Sequence, residues 1–230
     1  MFYDYADSGS WTEQTYNENQ TDFEKIKLRQ RVAVNVENRN TSSEMLGTPV
    51  ALPTALAPCG MTGMQRADGE ILAAKASEKF GVPFTLSTMS MTSIEDLADH
   101  LSKPFWFQLY VMKDKKFVEN LIRRAKAVGC KTLILTVDVP VVSRRVRDLR
   151  NGFVVPFKIG LKQFIDFALH PNWSLSTIMK GIPEPKNFRH GSQNNFDRNA
   201  SRAGANWEFL GELREKWKGN LIVKGVMDPD

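Results

Sequence analysis

"PFWFQLYVMKDKKFVENLIRRAKAVGCKTLILTVDV", residues 104–139, decides the fold. Its first part, to Val111, is almost unbroken apolar sequence, the pattern of a strand buried on both faces. The middle, 113–129, sets Phe117, Leu121 and Ala125 at four-residue spacing on one face of a helix and stops at Gly129. The last part, 131–139, is a second apolar run rich in β-branched residues. Strand, helix and strand in this order predict a βα unit and a parallel pair. The second strand ends on Asp138, with Arg144 and Arg145 on the sequence that follows.

The same rhythm extends both ways. "PVALPTALAPCG" (49–60) contains an apolar run ending at Pro58. "DGEILAAKASEKF" (68–80) reads as a helix with Asp68 as its N-cap and Gly81 as its stop. "VPFTLSTMS" (82–90) is a strand ending near Ser87, and "TSIEDLADHL" (92–101) a helix whose Ser93 and Asp96 form a capping-box pattern. "NWEFLGELREKW" (206–217) and "GNLIVKGVMDPD" (219–230) give a further helix and a strand ending on Lys224. The sum is an α/β chain of five strand-like units. Its polar residues gather at the C-terminal strand ends: Ser87, Gln108, Tyr110, Thr136 and Asp138. Both open α/β sheets and (β/α)8 barrels keep their sites there.

Two segments break the pattern. Residues 1–48 are polar with spaced aromatics, helical around 11–25, and read as a cap segment before a barrel-like region 49–230. Residues 151–205 are rich in Pro, Asn, Ser and Gly, with a short helix at 161–169. They are too long for an ordinary connection and read as an insertion or lid.

The balance of composition excludes several classes. The chain has 230 residues, 25% of them charged and 42% hydrophobic, enough for one sizeable core. Its formal net charge of +5 is scattered rather than gathered into a stripe with interleaved aromatics, so nucleic acid is not an expected partner. Two cysteines, Cys59 and Cys130, fit no metal motif and no disulfide framework, so a reducing, cytoplasmic setting is expected. No apolar stretch approaches the length that spans a bilayer, so neither a membrane-spanning helix nor a signal peptide is expected. GxGxxG, GxxxxGK[ST] and HExxH motifs are absent. His100, His170 and His190 fall in helix-end or loop positions, and no metal site is expected.

Single residues carry unequal weight. Asp138 reads either as a cap on the following loop or as the partner of a cationic or histidine group. Tyr110 reads equally as packing with its hydroxyl at the rim. Lys224 is harder to assign to packing, because an ammonium ending an apolar strand needs a charge partner or a ligand.

Together these pieces resemble the FMN-dependent 2-hydroxy acid dehydrogenase/oxidase family. The resemblance is carried by "FYDYADSG" (2–9), "LAPCGMTGM" (56–64), "GEILAAKAS" (69–77), "TLSTMS" (85–90), "FWFQLYV" (105–111), "LTVDVPVVSRRVRDLRNGF" (135–153) and "LIVKGV" (221–226). "MFYDYADSGS" and "RQRVAVNVE" are most similar to the bacterial respiratory L-lactate dehydrogenases, with glycolate oxidase-like and mandelate dehydrogenase-like members nearby. The resemblance implies a TIM (β/α)8 barrel, truncated here after about five strands, with FMN across its mouth. It implies that Pro58, Cys59 and Gly60 line the flavin through backbone groups, Cys59 departing from the family's usual Thr. Ser87, Gln108 and Thr136 would bond the isoalloxazine edge, and Lys224 would set its charge near N1 and O2. Tyr5, Tyr110 and Arg145 would bind the substrate, and Asp138 would orient a catalytic histidine.

That histidine follows the fifth strand in the family, in a run resembling Ser-Asn-His-Gly-Gly-Arg, which these 230 residues do not contain. A fragment, inactive by itself for want of a general base, is therefore expected. For the full-length parent the resemblance implies FMN-dependent oxidation of an L-2-hydroxy acid, L-lactate first, with glycolate or mandelate as alternatives. Electrons would pass to a quinone or cytochrome acceptor. A homo-oligomer, a tetramer by family resemblance, is expected. A non-catalytic half-barrel that binds flavin or phosphate is the rival class. The insertion, with Phe164, Ile165, Phe167, Leu169, Trp173 and Ile178 among lysines, reads two ways: as a surface for peripheral contact with the inner face of the cytoplasmic membrane, or as a lid packed on its own barrel.

Overall fold

The computed structural model describes residues 2–141, 143–153, 159–181, 183–188 and 204–228. The sheet is built by β3 (Thr85–Ser87), β4 (Trp106–Tyr110), β5 (Thr132–Thr136) and β6 (Asn220–Lys224), all parallel and in sequential order. α3 (Gly69–Phe80) precedes β3, and α4 (Ile94–Ala98), α5 (Lys115–Ala127) and, before β6, α9 (Trp207–Lys216) run between the strands.

Register gives the two sheet faces different jobs. Leu86, Phe107, Leu133 and Leu221 stand side by side across the four strands. They share one cluster with Ile94 and Leu97 of α4, Phe117, Leu121 and Ala125 of α5, and Leu213 of α9. The helices therefore all cover one face. One residue further along each strand, Ser87, Gln108, Ile134 and Ile222 line the other face. A doubly wound sheet has helices on both faces and a reversal of strand order, and neither occurs among the described residues. Sequential parallel strands with helices on one side are an arc of a (β/α)8 barrel wall.

Local sequence explains the units. Asp114 caps α5 by accepting from the backbone N–H of Lys116 and Phe117. Ser93 caps α4 by accepting from Asp96 N. Gly81 ends α3 at φ +85°, a backbone region that glycine enters at no steric cost. Leu121 is fully buried, which favours folding by about 1.5–3 kcal/mol.

Two expectations need correction. The apolar run ending at Pro58 forms no full strand. Leu56 makes a single parallel bridge to Phe84, because Pro53 and Pro58 on either side remove ladder donors. Asp68 stands at the N-cap position of α3, but its backbone is left-handed (φ 56°) and its side chain caps nothing; the carboxylate instead pairs with Lys180 at 2.7 Å. The helical reading of 11–25 corresponds to α2 (Gln14–Thr21) and a 3-10 turn at Asp22–Lys25, and a further short helix, α1 (Phe2–Ala6), precedes them.

The additions surround the arc. A hairpin of β1 (Ser43–Met45) and β2 (Thr48–Val50) reaches the start of β6, where Asn220 Nδ2 donates to Leu46 O. After β5 come α6 (Val146–Arg150), α7 (Leu161–Ala168) and α8 (Pro171–Lys180). A 3-10 turn at Lys186–Phe188 follows. His190 and much of the expected insertion, 154–158 and 189–203, lie outside the described residues. Among the described residues no helix is long and apolar enough to cross a membrane.

Candidate flavin and substrate site

The polar row at the C-terminal strand ends is continuous. Ser87 Oγ accepts from Met89 N (3.1 Å) and donates to Gln108 Oε1 (3.0 Å). Gln108 Nε2 donates to Thr136 Oγ1 (3.0 Å). Each of the three side chains is buried and comes from a neighbouring strand. Thr136 is in register with Lys224, one strand on. Serine, glutamine, threonine and lysine therefore stand in spatial order across β3, β4, β5 and β6. A glutamine amide between two hydroxyls would be a poor choice for an apolar core. It holds its neighbours in one orientation and keeps a second N–H with no acceptor among the described residues.

Lys224 Nζ lies 3.2 Å from Asp138 Oδ2, both half-exposed. Of the two sequence readings of Asp138, the cationic partner is the one seen. The approach depends on Gly225, at φ +106°: a Cβ there would come within 2.4 Å of Asp138 Cβ. The 58–60 loop reaches the same end of the sheet. A Cβ on Gly60 would sit 3.0 Å from Met89 Cβ and 3.7 Å from Ser87 Oγ, and Met61 N donates to Met89 O. Cys59 is exposed, whereas burial pushes the Cys130 thiol up to about 12.

Tyr5 and Tyr110 border one cluster of Met61, Met64, Met89, Met91 and Phe153. Tyr5 stacks on Phe153 with ring centroids 4.8 Å apart. Arg145 is directed onto Tyr5, donating to its carbonyl at 2.7 Å and lying 4.8 Å over its ring. The structure thus brings Tyr5 and Tyr110 against one methionine-rich cluster beside the Ser87–Gln108–Thr136 row, with Arg145 on Tyr5.

Three buried polar groups that hold this end of the sheet were not singled out from sequence. Glu70 accepts from Gly63 N, Met91 N and Thr92 Oγ1, joining the loops that follow the first two strand positions. Asn187 accepts from Ile94 N and donates to Ser87 O, Thr88 O and Ser90 Oγ. Arg124 grips Glu95 with two nitrogens, at 2.7 and 2.6 Å, and donates to Asn187 O. Only their rarity as buried charges and amides marks them, and burial is not written in a local sequence.

FMN fits this donor set. The pyrimidine edge of its ring alternates carbonyl oxygens with a ring N–H, and the Ser87–Gln108–Thr136 row offers both donors and acceptors. The ammonium of Lys224 lies at the end of the row.

Comparison with known proteins agrees with this geometry. The family described as FMN-dependent dehydrogenase matches residues 1–230. An L-lactate dehydrogenase of Haemophilus influenzae is 40% identical over the whole chain, and one of Alcaligenes faecalis 38%. The chain spans 62% and 63% of their lengths respectively. Among solved structures, the monotopic membrane protein (S)-mandelate dehydrogenase superposes with a TM-score of 0.91 at 34% identity, over 99% of this chain and 62% of that one. A parallel arc with its polar row at the strand ends, matched along its full length, identifies the chain as a member of the FMN-dependent dehydrogenase family.

Proposed function

We propose that the whole protein oxidises an L-2-hydroxy acid, L-lactate in the first place, to the 2-oxo acid. The Ser87–Gln108–Thr136 row leading to Lys224 is the observation that carries this reading. FMN, when bound, supplies a two-electron acceptor. The row orients the ring edge, and Lys224 offsets the negative charge that reduction places there. Backbone groups of Pro58, Cys59 and Gly60 pack against the ring. Tyr5 and Arg145 bind the substrate carboxylate, and Tyr110 bonds its hydroxyl side. Asp138 orients the imidazole that the family carries in a stretch these 230 residues do not contain. A quinone or cytochrome receives the electrons, and the protein works as a homo-oligomer.

The direct test is anaerobic bleaching of flavin absorbance in the full-length protein, with L-lactate, glycolate and (S)-mandelate compared. Rapid bleaching by L-lactate supports the reading, and failure with all three removes it. Residues 1–230 allow a test without turnover. FMN bound at the 58–60 loop slows alkylation of the exposed Cys59, and an unchanged labelling rate at saturating FMN counts against the site.

A peripheral membrane contact is supported by α7 and α8. Leu161, Phe164, Ile165, Leu175, Ile178 and Met179 are exposed on these two helices. Phe167 and Trp173 turn the other way, onto Phe2. The segment thus combines a packed inner side with an apolar outer side, the pattern of an interfacial anchor. Replacing Phe164, Ile165 and Ile178 with serine abolishes co-sedimentation with anionic liposomes on this reading; unchanged pelleting contradicts it.

A further inference from the structure

Arg147 belongs to no expected site, yet it makes the densest set of polar contacts on the N-terminal arm. Its Nε donates to Glu13 Oε1 at 2.8 Å and its Nη2 to Glu13 Oε2 at 3.2 Å. Its Nη1 donates to Asp7 Oδ2 at 3.2 Å, and Nη2 also meets the Asp7 carbonyl. One guanidinium therefore spans two carboxylates six residues apart on a segment about 140 residues away in sequence. Each carboxylate is tied again within the arm. Glu13 Oε1 accepts from Gly9 N at 3.1 Å, and Asp7 Oδ1 accepts from the Tyr16 hydroxyl at 3.2 Å. The arm closes tightly enough that a Cβ on Gly9 would approach Tyr16 Cβ to 2.7 Å.

The residues around Arg147 reinforce this grip. Arg144 O accepts from Trp11 N, its guanidinium lies 5.5 Å over the Trp11 ring, and Asn151 donates to Asp4. Tyr5 stands between these fastenings. Its ring rests on Phe153, at the end of the same loop. Two like charges folded toward each other repel, and only a shared cation makes that fold favourable. A two-pronged guanidinium also fixes angle as well as distance.

We infer that Arg147 is a positioning residue, which latches residues 5–13 so that Tyr5 is held in place over the substrate carboxylate. The inference rests on the proposed role of Tyr5. A hydrogen bond to the carboxylate is the same before and during C–H cleavage, so loosening it is uniform binding loss: KM rises and kcat holds. A residue that only supports the fold would instead lower flavin content and kcat.

The experiment is a cycle in the full-length, FMN-loaded protein with L-lactate as substrate. Arg147→Met is expected to raise KM about tenfold or more, the scale on which misplaced binding groups act, with kcat and the flavin spectrum unchanged. Arg147→Lys, which keeps the charge but not the fork, falls between. In the Tyr5→Phe background Arg147→Met adds little, because the hydroxyl it positions is gone. An equal KM increase in both backgrounds, or a fall in kcat and flavin content with KM unchanged, overturns the inference. Should Arg147→Met fail to fold, the cycle is run with Arg147→Lys. If Tyr5→Phe alone leaves KM unchanged, the proposed role of Tyr5 fails first, and that result is distinct from failure of the latch.

Discussion

Replacing Asn187 with leucine tests how the inserted segment is held to the sheet. Asn187 is fully buried, and its carboxamide meets five polar groups. The shortest contact is Ile94 N to Oδ1 at 3.0 Å. Leucine has similar volume, so the cavity term is small. The Ile94 N–H is left buried without an acceptor, which costs about 1–3 kcal/mol. The three Nδ2 contacts, at 3.5, 3.3 and 3.2 Å, are long and together contribute about 1–2 kcal/mol. Burial of the leucine side chain returns about 1–2 kcal/mol. A net loss of about 2 kcal/mol follows at the centre of these ranges, which displaces the urea midpoint by roughly 1 M at ordinary m-values. Chemical unfolding followed by circular dichroism measures it. Lys186→Ala is the control, because it removes only the half-exposed pair with Asp96 and costs about 0–1 kcal/mol. If the two variants unfold at the same urea concentration, the carboxamide is not the fastening.

Further outcomes follow from individual contacts. Gly225→Ala is expected to cost more than about 1 kcal/mol, because alanine at positive φ is strained and its Cβ meets Asp138; a thermal melt with no shift would contradict this. A chromogenic disulfide at pH 8 should titrate one thiol of the native chain, Cys59, and two after denaturation, because Cys130 is held neutral by burial. Burial pushes the Asp96 carboxyl up, but the Lys186 ammonium at 3.1 Å and Ser93 outweigh it and hold the group below its ordinary 3.8. Its folded pKa is depressed, so its contribution is present above the unfolded value and lost as pH falls through the folded one. Lys186→Ala should therefore narrow its stability deficit to wild type as pH falls from about 5 to 2, and a pH-independent deficit would refute the pairing.

What sequence makes legible here depends on how far a residue's partners lie along the chain. The α5 unit is legible because Phe117, Leu121 and Ala125 declare their face within three turns, and Gly129 marks its end. Ser87, Gln108 and Thr136 stand out as polar residues inside apolar strands, and register then sets them in one row. The Asp68 cap was misread because residue type suggests a cap while backbone angle decides it. The first strand was overestimated because apolar character does not replace the donors that proline lacks. Arg147 and Asn187 were invisible for a different reason. Their partners lie 134–140 and 63–100 residues away, and in sequence they are one more arginine in "RRVRDLR" and one more asparagine in a polar segment. The family resemblance supplied roles for Tyr5 and Arg145, but not the stacking that binds them to each other.

This difference between local and distant determinants divides the site into two parts. The proposed flavin side is made by strand ends, whose positions follow from sheet register. The proposed substrate side, apart from Tyr110 on β4, is made by segments outside the barrel, fastened by side-chain contacts. Trp173 Nε1 donates to Met64 O at 2.8 Å, Lys180 pairs with Asp68, and Phe2 packs against both Phe167 and Trp173. The α7–α8 segment therefore touches the N-terminal arm and the 62–68 turn, and none of its described bonds reaches Ser87, Gln108, Thr136 or Lys224. Exchanging residues 159–181 for a short Gly-Ser linker separates the two parts. Tyr5 loses the aromatic support that reaches it through Phe2 and Phe153, so the KM for L-lactate in the full-length protein should rise. The row from Ser87 to Lys224 keeps every partner it has, so flavin content and the flavin absorbance envelope should not change. Loss of FMN from the exchanged protein would show that the insertion builds the flavin side as well, and the division argued from these contacts would be wrong.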